Sequence, residues 1–399
     1  MADFHTLDDI EVRGKRVLLR ADLNVPVKDG KVTDATRIER LAPTIRELAE
    51  KGARVIVLSH FGRPEKGPDP TLSLKPLLEP LAKAVDRPVA FAEDCVGAPA
   101  QRVVAGLKDG EVALLENTRF HAGEEKNDPE FTRQLASLGD IYVNDAFSAA
   151  HRAHASTEGV AHLLPAVAGR LMQQELEALH AALGAPKRPV AAIVAGAKVS
   201  TKLQLLDFML KKVQVLVIGG AMANTLLLAE GKKVGRSLVE NNMIDAARKI
   251  LANARSAACE LILPVDAVVA RELKAGAQTQ TVAIDRVPDD EMILDIGPQS
   301  VAAIVARLEK CPTLVWNGPV GAFETKPFDA GTVALAQRVA ALTRAGKMLS
   351  VAGGGDTVAA LHEAGVVDEL SYVSTAGGAF LEWLEGRELP GVAALKPRN

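Results

Sequence analysis

The chain is short of cysteine, and the three it has, Cys95, Cys259 and Cys311, lie far apart with no CxxC pair. That usage supports neither a disulfide framework nor a zinc site, and it fits a reducing cytoplasm. A dominant charge is absent as well: 47 Lys and Arg stand against 50 Asp and Glu, a net charge of −3. No overall field draws the protein to nucleic acid or to an acidic membrane, so any anion must be held by local clusters. The first ten residues, "MADFHTLDDI", carry charge where an export signal needs an apolar core. The richest apolar region, "VQVLVIGGAMANTLLLAEG" from Val213, is broken by glycines and Asn224 before it reaches the roughly 20 residues that span a bilayer. A soluble, cytoplasmic protein without membrane or nucleic-acid partners is expected.

Several catalytic signatures are missing too. There is no GxxxxGK[ST], no GxGxxG after the first strand, no GxSxG, no HExxH and no HRD or DFG. P-loop enzymes, simple dinucleotide dehydrogenases, serine hydrolases, zincins and protein kinases all lose support. Two rivals remain to be weighed: a nicotinamide-dependent oxidoreductase on a doubled α/β fold, and a two-lobed solute-binding protein.

What is present is a well-packed composition, 48% hydrophobic and 24% charged over 399 residues, long enough for two domains. Short apolar runs recur from Arg16, Ala53, Val112, Ile141, Pro189, Val213, Glu260, Thr313, Met348 and Ser371. They do not alternate with polar residues, so they are expected to be strands buried on both faces. Most are separated by helical patterns such as "TRIERLAPTIRELAEKG", in which Ile38, Leu41, Ile45 and Leu48 share one face. The expected fold is α/β, with two doubly wound parallel sheets of Rossmann type. Between Pro165 and Pro189 a single helical pattern reads as a hinge. The expected division is a first domain over 1–170, the hinge helix over 171–188, a second domain over 189–385, and a tail over 386–399 that returns to the first.

In open parallel sheets ligands sit beyond the carboxyl ends of the strands. In the second half those ends read "AGAKVSTK", "IGGAMAN", "AGGGDT" and "TAGGAF", each glycine-rich and each leading into a helical pattern. Glycine lets backbone approach a ligand, and free helix N–H groups favour anions, so this is a surface for phosphates. Lys198 and Lys202, four apart, are expected on one helix face. In the first half the ends are "RADLNVP", "SHFGRP", "ENTRF" and "NDAFSAAHRAHA", with Arg37, Arg63, Arg119, Arg152 and His60 following successive strands. Guanidinium forks suit carboxylate and phosphate, and several at one rim imply a small, highly anionic substrate. One surface arginine or one Gly-Gly step would be solvated surface or a tight turn. Repetition at successive strand ends carries the argument.

The stretches "RADLNVP", "HFGRP", "ENTRF", "NDAFSAAHRAHAS", "AGAKVSTK", "VWNGPVGAFE", "AGGGDT" and "STAGGAFLEWLEGRELPGV" resemble, in order, the signatures of the phosphoglycerate kinase family. The resemblance runs over essentially the whole chain. It implies a two-lobed, hinge-bending monomer of glycolysis that moves a phosphoryl group between 1,3-bisphosphoglycerate and ADP, giving 3-phosphoglycerate and MgATP. Carried over motif by motif, Asp22, Asn24, Arg37, His60, Phe61, Gly62, Arg63, Arg119 and Arg152 would bind the phosphoglycerate. Gly196, Ala197, Lys198, Lys202, Gly219, Asn317, Glu324, Gly353, Gly354, Gly355, Asp356 and Thr357 would bind the nucleotide. In that resemblance Glu324 meets the ribose, Asp356 holds Mg²⁺ and Thr357 supplies a hydroxyl, while Lys198 and Arg37 are expected to grip the transferring phosphoryl from opposite lobes. Asp356 is also expected to cap the helix that follows it. Two departures bear on the site: Ala376 stands where the family commonly has the first of three glycines, and Ile293 stands where many members have glycine.

Overall fold

The computed structural model describes residues 4–65 and 67–397. The first three residues of the expected first domain and the last two of the expected tail therefore lie outside the described residues, as does Lys66. The strands in chain order are β1 (Arg16–Arg20), β2 (Val27–Lys28), β3 (Lys31–Val32), β4 (Arg54–Leu58), β5 (Val89–Ala92), β6 (Val112–Leu115), β7 (Ile141–Asn144), β8 (Ala166–Ala168), β9 (Val190–Ala195), β10 (Val215–Gly219), β11 (Glu260–Ile262), β12 (Asp266–Ala270), β13 (Gln280–Ala283), β14 (Met292–Ile296), β15 (Thr313–Asn317), β16 (Leu349–Gly353) and β17 (Tyr372–Ser374). The chain divides into two compact units, Met1–Glu177 with Glu388–Asn399, and Ala178–Arg387.

The first unit is built on a sheet of order β5-β6-β4-β1-β7-β8, with every neighbouring pair parallel. Its central strands bury every residue from Val17 through Arg20, from Val55 through Leu58 and along β6 and β7, because helices cover both faces and leave no polar side to alternate with. In the helix Thr36–Glu50, Ile38, Leu41, Ile45 and Leu48 are fully shielded and join Val17, Leu19, Val55 and Val57 in one core. Hydrophobic residues at intervals of three and four lie along one stripe of a 3.6-residue helix, which is why this face turns inward. The chain end returns to this unit: Gly391 donates its N–H to the Ala150 carbonyl at 2.8 Å.

The second unit has its own parallel sheet, of order β11-β10-β9-β15-β16-β17. All residues of β9, β10 and β15 are buried, and Trp316, Leu314, Ile193 and Leu335 anchor the core on one face. Each sheet reverses direction of winding near its middle strands, the position at which crevices open beyond the strand ends.

Three expectations of organisation are corrected. Residues 165–189 do not form one helical pattern: Ala166–Ala168 is a strand beside β7, and the helix begins at Arg170 and runs to Leu179 before a wider π-type turn over His180–Gly184. The strand forms because Thr6 and β7 offer parallel partners on both sides of Ala168, so tertiary pairing outweighs the helical spacing of "AVAGRL". The run "ELILPVD" is two strands in different sheets, β11 and β12, parted by Pro264, whose missing N–H interrupts a ladder. Beyond it β12, β13 and β14 form a small antiparallel sheet of order β13-β12-β14, an element with no counterpart in the expected pair of parallel sheets. Ile293 lies in β14 and packs partly buried against a small core that includes Leu227, Val234 and Val269. Among the described residues, no helix is long and apolar enough to cross a membrane.

Candidate active site

In the first unit the polar strand ends gather beyond four adjacent strands, β6, β4, β1 and β7. Asp22, just past β1, accepts from Arg37 Nη1 at 3.0 Å and from Ser148 Oγ at 2.5 Å. Arg37 sits in the first turn of its helix, and the same Nη1 reaches the Asn24 carbonyl at 2.9 Å. Asn24 Oδ1 accepts from Gly62 N at 3.0 Å, which ties the end of β1 to the end of β4. Gly62 has φ +59°, and a Cβ there would come within 2.6 Å of Leu72, so glycine is required for the chain to turn. Asn117, past β6, holds Phe61 by both main-chain groups, accepting from its N at 3.1 Å and donating to its O at 2.8 Å. Phe61 is buried and serves as part of the wall.

The cationic groups draw close together. Arg119 donates Nη1 to the Gly62 carbonyl at 2.7 Å and lies 3.3 Å from Glu125. Its pKa is lowered by burial and, more weakly, by Arg152 and Arg20. Arg152 Nε donates to His151 Nε2 at 3.2 Å. Arg63 is exposed at the rim. His60 is buried beside Arg20, Arg119 and Arg152, and burial, reinforced by those charges, pushes it far below the usual imidazole range. His154 is pushed down to about 4 by burial and by Arg119. Both imidazoles are therefore neutral at pH 7.

Sequence reasoning missed the residue at the centre of this cluster. Arg20, the last residue of β1, is 1% exposed, and all three of its nitrogens are engaged. Nε donates to Ser156 Oγ at 2.8 Å, Nη1 to the Ala21 carbonyl, and Nη2 meets His60 Nδ1 at 2.9 Å. A guanidinium only donates, so His60 Nδ1 accepts and its Nε2 keeps the proton. Fully buried Glu124 accepts from Ser156 N at 3.0 Å and from Ser156 Oγ. Burial raises its pKa while Arg20 opposes the rise. The signal for Arg20 was a charge inside an apolar strand; "HAGEEKND" held no comparable signal for Glu124.

In the second unit the glycine-rich ends lie beyond β10, β9, β15, β16 and β17. Gly220, Gly354 and Gly377 precede the helices Ala221–Ala229, Gly355–Glu363 and Gly378–Leu384, with φ of +67°, +99° and +55°, and none of these helices has a side-chain cap. The first turn of Gly355–Glu363 presents its N–H groups toward a ligand, whereas in Ala221–Ala229 the Met222 and Ala223 N–H groups already donate to the Gly196 and Gly220 carbonyls, and in Gly378–Leu384 the Ala379 N–H donates to the Ala376 carbonyl. A pocket of about 310 Å³ is lined by Gly196, Ala197, Lys198, Lys202, Asn317, Gly354, Gly355, Asp356 and Thr357 among others. Gly219 and Glu324 are outside that lining. Gly219 ends β10, where a Cβ would meet Val320 at 2.7 Å, and Glu324 is exposed in the segment after β15. Gly353 acts from behind, its carbonyl accepting from Asn317 Nδ2 at 2.7 Å and Thr357 Oγ1 at 2.9 Å.

Three details differ from expectation, and the Ala376 departure is explained. Lys198 and Lys202 are not on a helix face: residues 197–202 are bends and turns, and the helix starts at Leu203. Thr201 Oγ1 donates to the Lys198 carbonyl at 2.9 Å, a local bond that competes with helix, and Ser200 N donates across the fold to Glu240 at 3.0 Å. Asp356 is not the cap, since Gly354 holds that position and Asp356 lies in the first turn with an exposed carboxylate. The Thr357 hydroxyl is already used, accepting from Gly318 N at 2.7 Å and donating to Gly353 O; it braces the loop from a buried position. At "STAGGA" the positive φ falls on Gly377 and not on Ala376, so the alanine fits without backbone strain.

Lys202 donates to Asn317 Oδ1, and burial lowers its amine to about 8 against the opposing pull of Asp356. Two lysines, uncapped helix ends and one exposed carboxylate make a surface suited to a polyphosphate with a hard divalent cation.

The family model for phosphoglycerate kinase matches residues 7–387. The phosphoglycerate kinase of Methylorubrum extorquens (strain PA1) is 65% identical over 400 residues, covering 100% of both chains. That of Granulibacter bethesdensis is 65% identical over 98% of this chain and 99% of its own. The solved phosphoglycerate kinase of Coxiella burnetii superimposes with a TM-score of 0.92 at 44% identity, over 98% of each chain. That of Pyrococcus horikoshii OT3 gives 0.80 at 32% identity, also over 98% of each. The chain belongs to the phosphoglycerate kinase family, a kinase of glycolysis that transfers a phosphoryl group reversibly between 1,3-bisphosphoglycerate and ADP to form 3-phosphoglycerate and ATP.

Proposed function

We propose that the two reactants are divided between the two units, with phosphoglycerate on the first and nucleotide on the second. The carrying observation is the contrast between the rims: a cluster of arginines around a neutral, buried His60 in one, and uncapped glycine-led helices with two lysines in the other. Asp22, Asn24, Arg37, His60, Arg63, Arg119 and Arg152 bind the phosphoglycerate, with Phe61 and Gly62 shaping the wall. The main chain of Gly196, Ala197, Gly354 and Gly355, with Lys198, Lys202 and Asn317, receives the nucleotide phosphates. Gly219, Gly353 and Thr357 hold those loops in place, and Glu324 stands further out for the sugar.

The acceptor in the ATP-consuming direction is a carboxylate, ionised at neutral pH because such groups titrate near pKa 4. No general base is needed, and the protein's contribution is positioning, exclusion of water and charge stabilisation. Lys198 and Arg37 neutralise the oxygens of the transferring phosphoryl. Asp356 is the residue that would hold Mg²⁺, and its exposed oxygen in the lysine-lined pocket fits that ion. Mg²⁺, when bound with the nucleotide, supplies neutralisation of phosphate charge. Transfer requires phosphorus and oxygen within bonding reach, so turnover requires the bound reactants to be brought together by closure. We further propose that the protein works as a cytoplasmic monomer.

A coupled assay with 3-phosphoglycerate, MgATP and a step that consumes 1,3-bisphosphoglycerate, run with and without EDTA, tests the metal requirement. Activity that survives EDTA removes Mg²⁺ and Asp356 from the scheme. Kinetics of Arg63→Ala test the division. A raised KM for ATP with an unchanged KM for phosphoglycerate shows the units to be assigned the wrong way round.

A further inference from the structure

Outside the two rims, the first unit brings together an oxygen, a sulfur and a nitrogen donor. Asp94 and Cys95 follow β5, and His121 follows the short turn Thr118–Phe120 beyond β6. These strands are neighbours in the sheet, so two segments 26 positions apart in sequence meet at its edge. One ligand atom from each of the three residues lies within 4.8 Å of the others.

The donors are held in place before any ion arrives. Asp94 Oδ1 accepts from Cys95 N at 2.7 Å and from Val96 N at 3.3 Å. His121 Nε2 lies 2.7 Å from the same oxygen, and its ring stacks on Phe131 with centroids 5.0 Å apart. Cys95 is fully buried and free. Burial, and after it the nearby Asp94, Glu124 and Glu116, keeps the Cys95 thiol well above its usual range, and Glu116 is committed to Leu74 N at 2.8 Å and Ser73 Oγ at 2.5 Å. Asp94 and His121 also line a pocket of about 820 Å³ that Glu93 and Glu116 share, which opens two of the three donors to solvent while Cys95 lies buried behind them.

We propose that Asp94, Cys95 and His121 form a site for a zinc-class transition metal, separate from the phosphoryl-transfer machinery. Sulfur and imidazole donors select Zn²⁺, Co²⁺ or a similar ion over Mg²⁺ and Ca²⁺, which prefer oxygen alone. On binding, the Cys95 thiol loses its proton to solvent and its sulfur lone pair forms the metal bond. His121 gives up its hydrogen bond to Asp94: its Nε2 proton leaves to solvent, the ring keeps or takes up one proton at Nδ1, and the freed Nε2 lone pair forms the metal bond. The Oδ1 to Nε2 separation opens from 2.7 Å to about 3.3 Å, the edge of a tetrahedron with bonds of roughly 2 Å. Water takes the fourth position from the pocket side. The ion then clamps the β5 and β6 loops together, two residues beyond Arg119.

The test uses the full chain, stripped with EDTA and free of nucleotide, titrated anaerobically with Co²⁺. The expected result is saturation at one equivalent, with a thiolate-to-cobalt charge-transfer band and the intense visible bands of a tetrahedral ion, both removed by stoichiometric Zn²⁺. Cys95→Ser should lose the charge-transfer band, and His121→Gln, a change at a partly exposed residue, should weaken Co²⁺ binding about tenfold or more. Zn²⁺ should raise Tm in the unaltered protein and in neither variant. If Cys95→Ser does not fold, His121→Gln decides. Absence of the charge-transfer band, its persistence in Cys95→Ser, or unaltered Co²⁺ affinity in His121→Gln overturns the site.

Discussion

On the proposed division, the two units meet the same requirement, holding an anion beyond the carboxyl ends of a parallel sheet, by different means. The first uses side-chain charge: beyond the effect of burial, Arg20 and Arg152 stand near enough to Arg119, His60 and His154 to push all three further down. That arrangement needs internal bracing, supplied by Ser156, Glu124, Asn117 and the Asp22 pair with Arg37. The second uses main-chain amides at the start of the helix that follows Gly354, with two lysines added. Charge on side chains costs stability until a ligand neutralises it, whereas oriented amides carry little such cost. The first site is therefore expected to respond to salt and to single deletions, and the second to changes of backbone shape.

The largest effect expected is at Lys198. Lys198→Ala should lower kcat by around 10²-fold or more, the scale of losing one preorganised charge stabiliser, while nucleotide still binds. Near-normal turnover would take Lys198 out of the chemistry and leave the second rim as a binding surface alone. Next comes Gly318, with φ +102° and a hypothetical Cβ 1.9 Å from the Ala195 carbonyl. Gly318→Ala should destabilise by about 1–3 kcal/mol or more in denaturant titration, because the strained residue would also displace Thr357 from its bond to Gly318 N. Unchanged stability would contradict the reliance on backbone shape.

Arg63→Ala should raise the KM for phosphoglycerate about tenfold and leave that for ATP within a factor of two, the scale of one lost charge-assisted hydrogen bond. Added KCl should raise the phosphoglycerate KM more steeply than the nucleotide KM, since exposed charge is screened over about 10 Å at 0.1 M salt. Equal slopes would erase the distinction between the rims. The smallest effect concerns pH. Burial holds the Lys202 amine near 8, below the 10.5 of a free lysine. Between those values the unfolded chain binds more protons than the folded one, so this group's penalty on stability is full below pH 8 and fades as pH rises toward 10.5. Nucleotide phosphates favour the charged amine, so binding near pH 8 should take up a fraction of a proton and weaken a few-fold by pH 9. Calorimetry in two buffers of different ionisation enthalpy measures that uptake, and none at all would place Lys202 away from the phosphates.

Much of this was readable in the chain because it depends on local pattern. Ten apolar runs became strands, and the stripe of Ile38, Leu41, Ile45 and Leu48 became a buried helix face. Glycine-rich ends marked the second rim. What escaped is instructive. Lys198 and Lys202 have helical spacing, yet Ser200 and Thr201 divert the backbone into turns. Arg20 looked like the end of a strand and proved to be the buried hub of the cationic cluster. The small antiparallel sheet of β12, β13 and β14 lacked a hydrophobic rhythm strong enough to announce itself. Asp94, Cys95 and His121 have no metal-ligand spacing, because adjacency of β5 and β6 creates the cluster.

By itself, the order of residues determined the alternation of buried strands and one-sided helices, and the type of group at each strand end, since both follow from side-chain size, polarity and the freedom of glycine. Only the tertiary structure decided which ends became neighbours, which hydroxyls and carboxylates were spent on bracing, and which cations were driven from their ordinary protonation. Those outcomes depend on distance and on exclusion of water, and neither exists until separate strands have been set side by side.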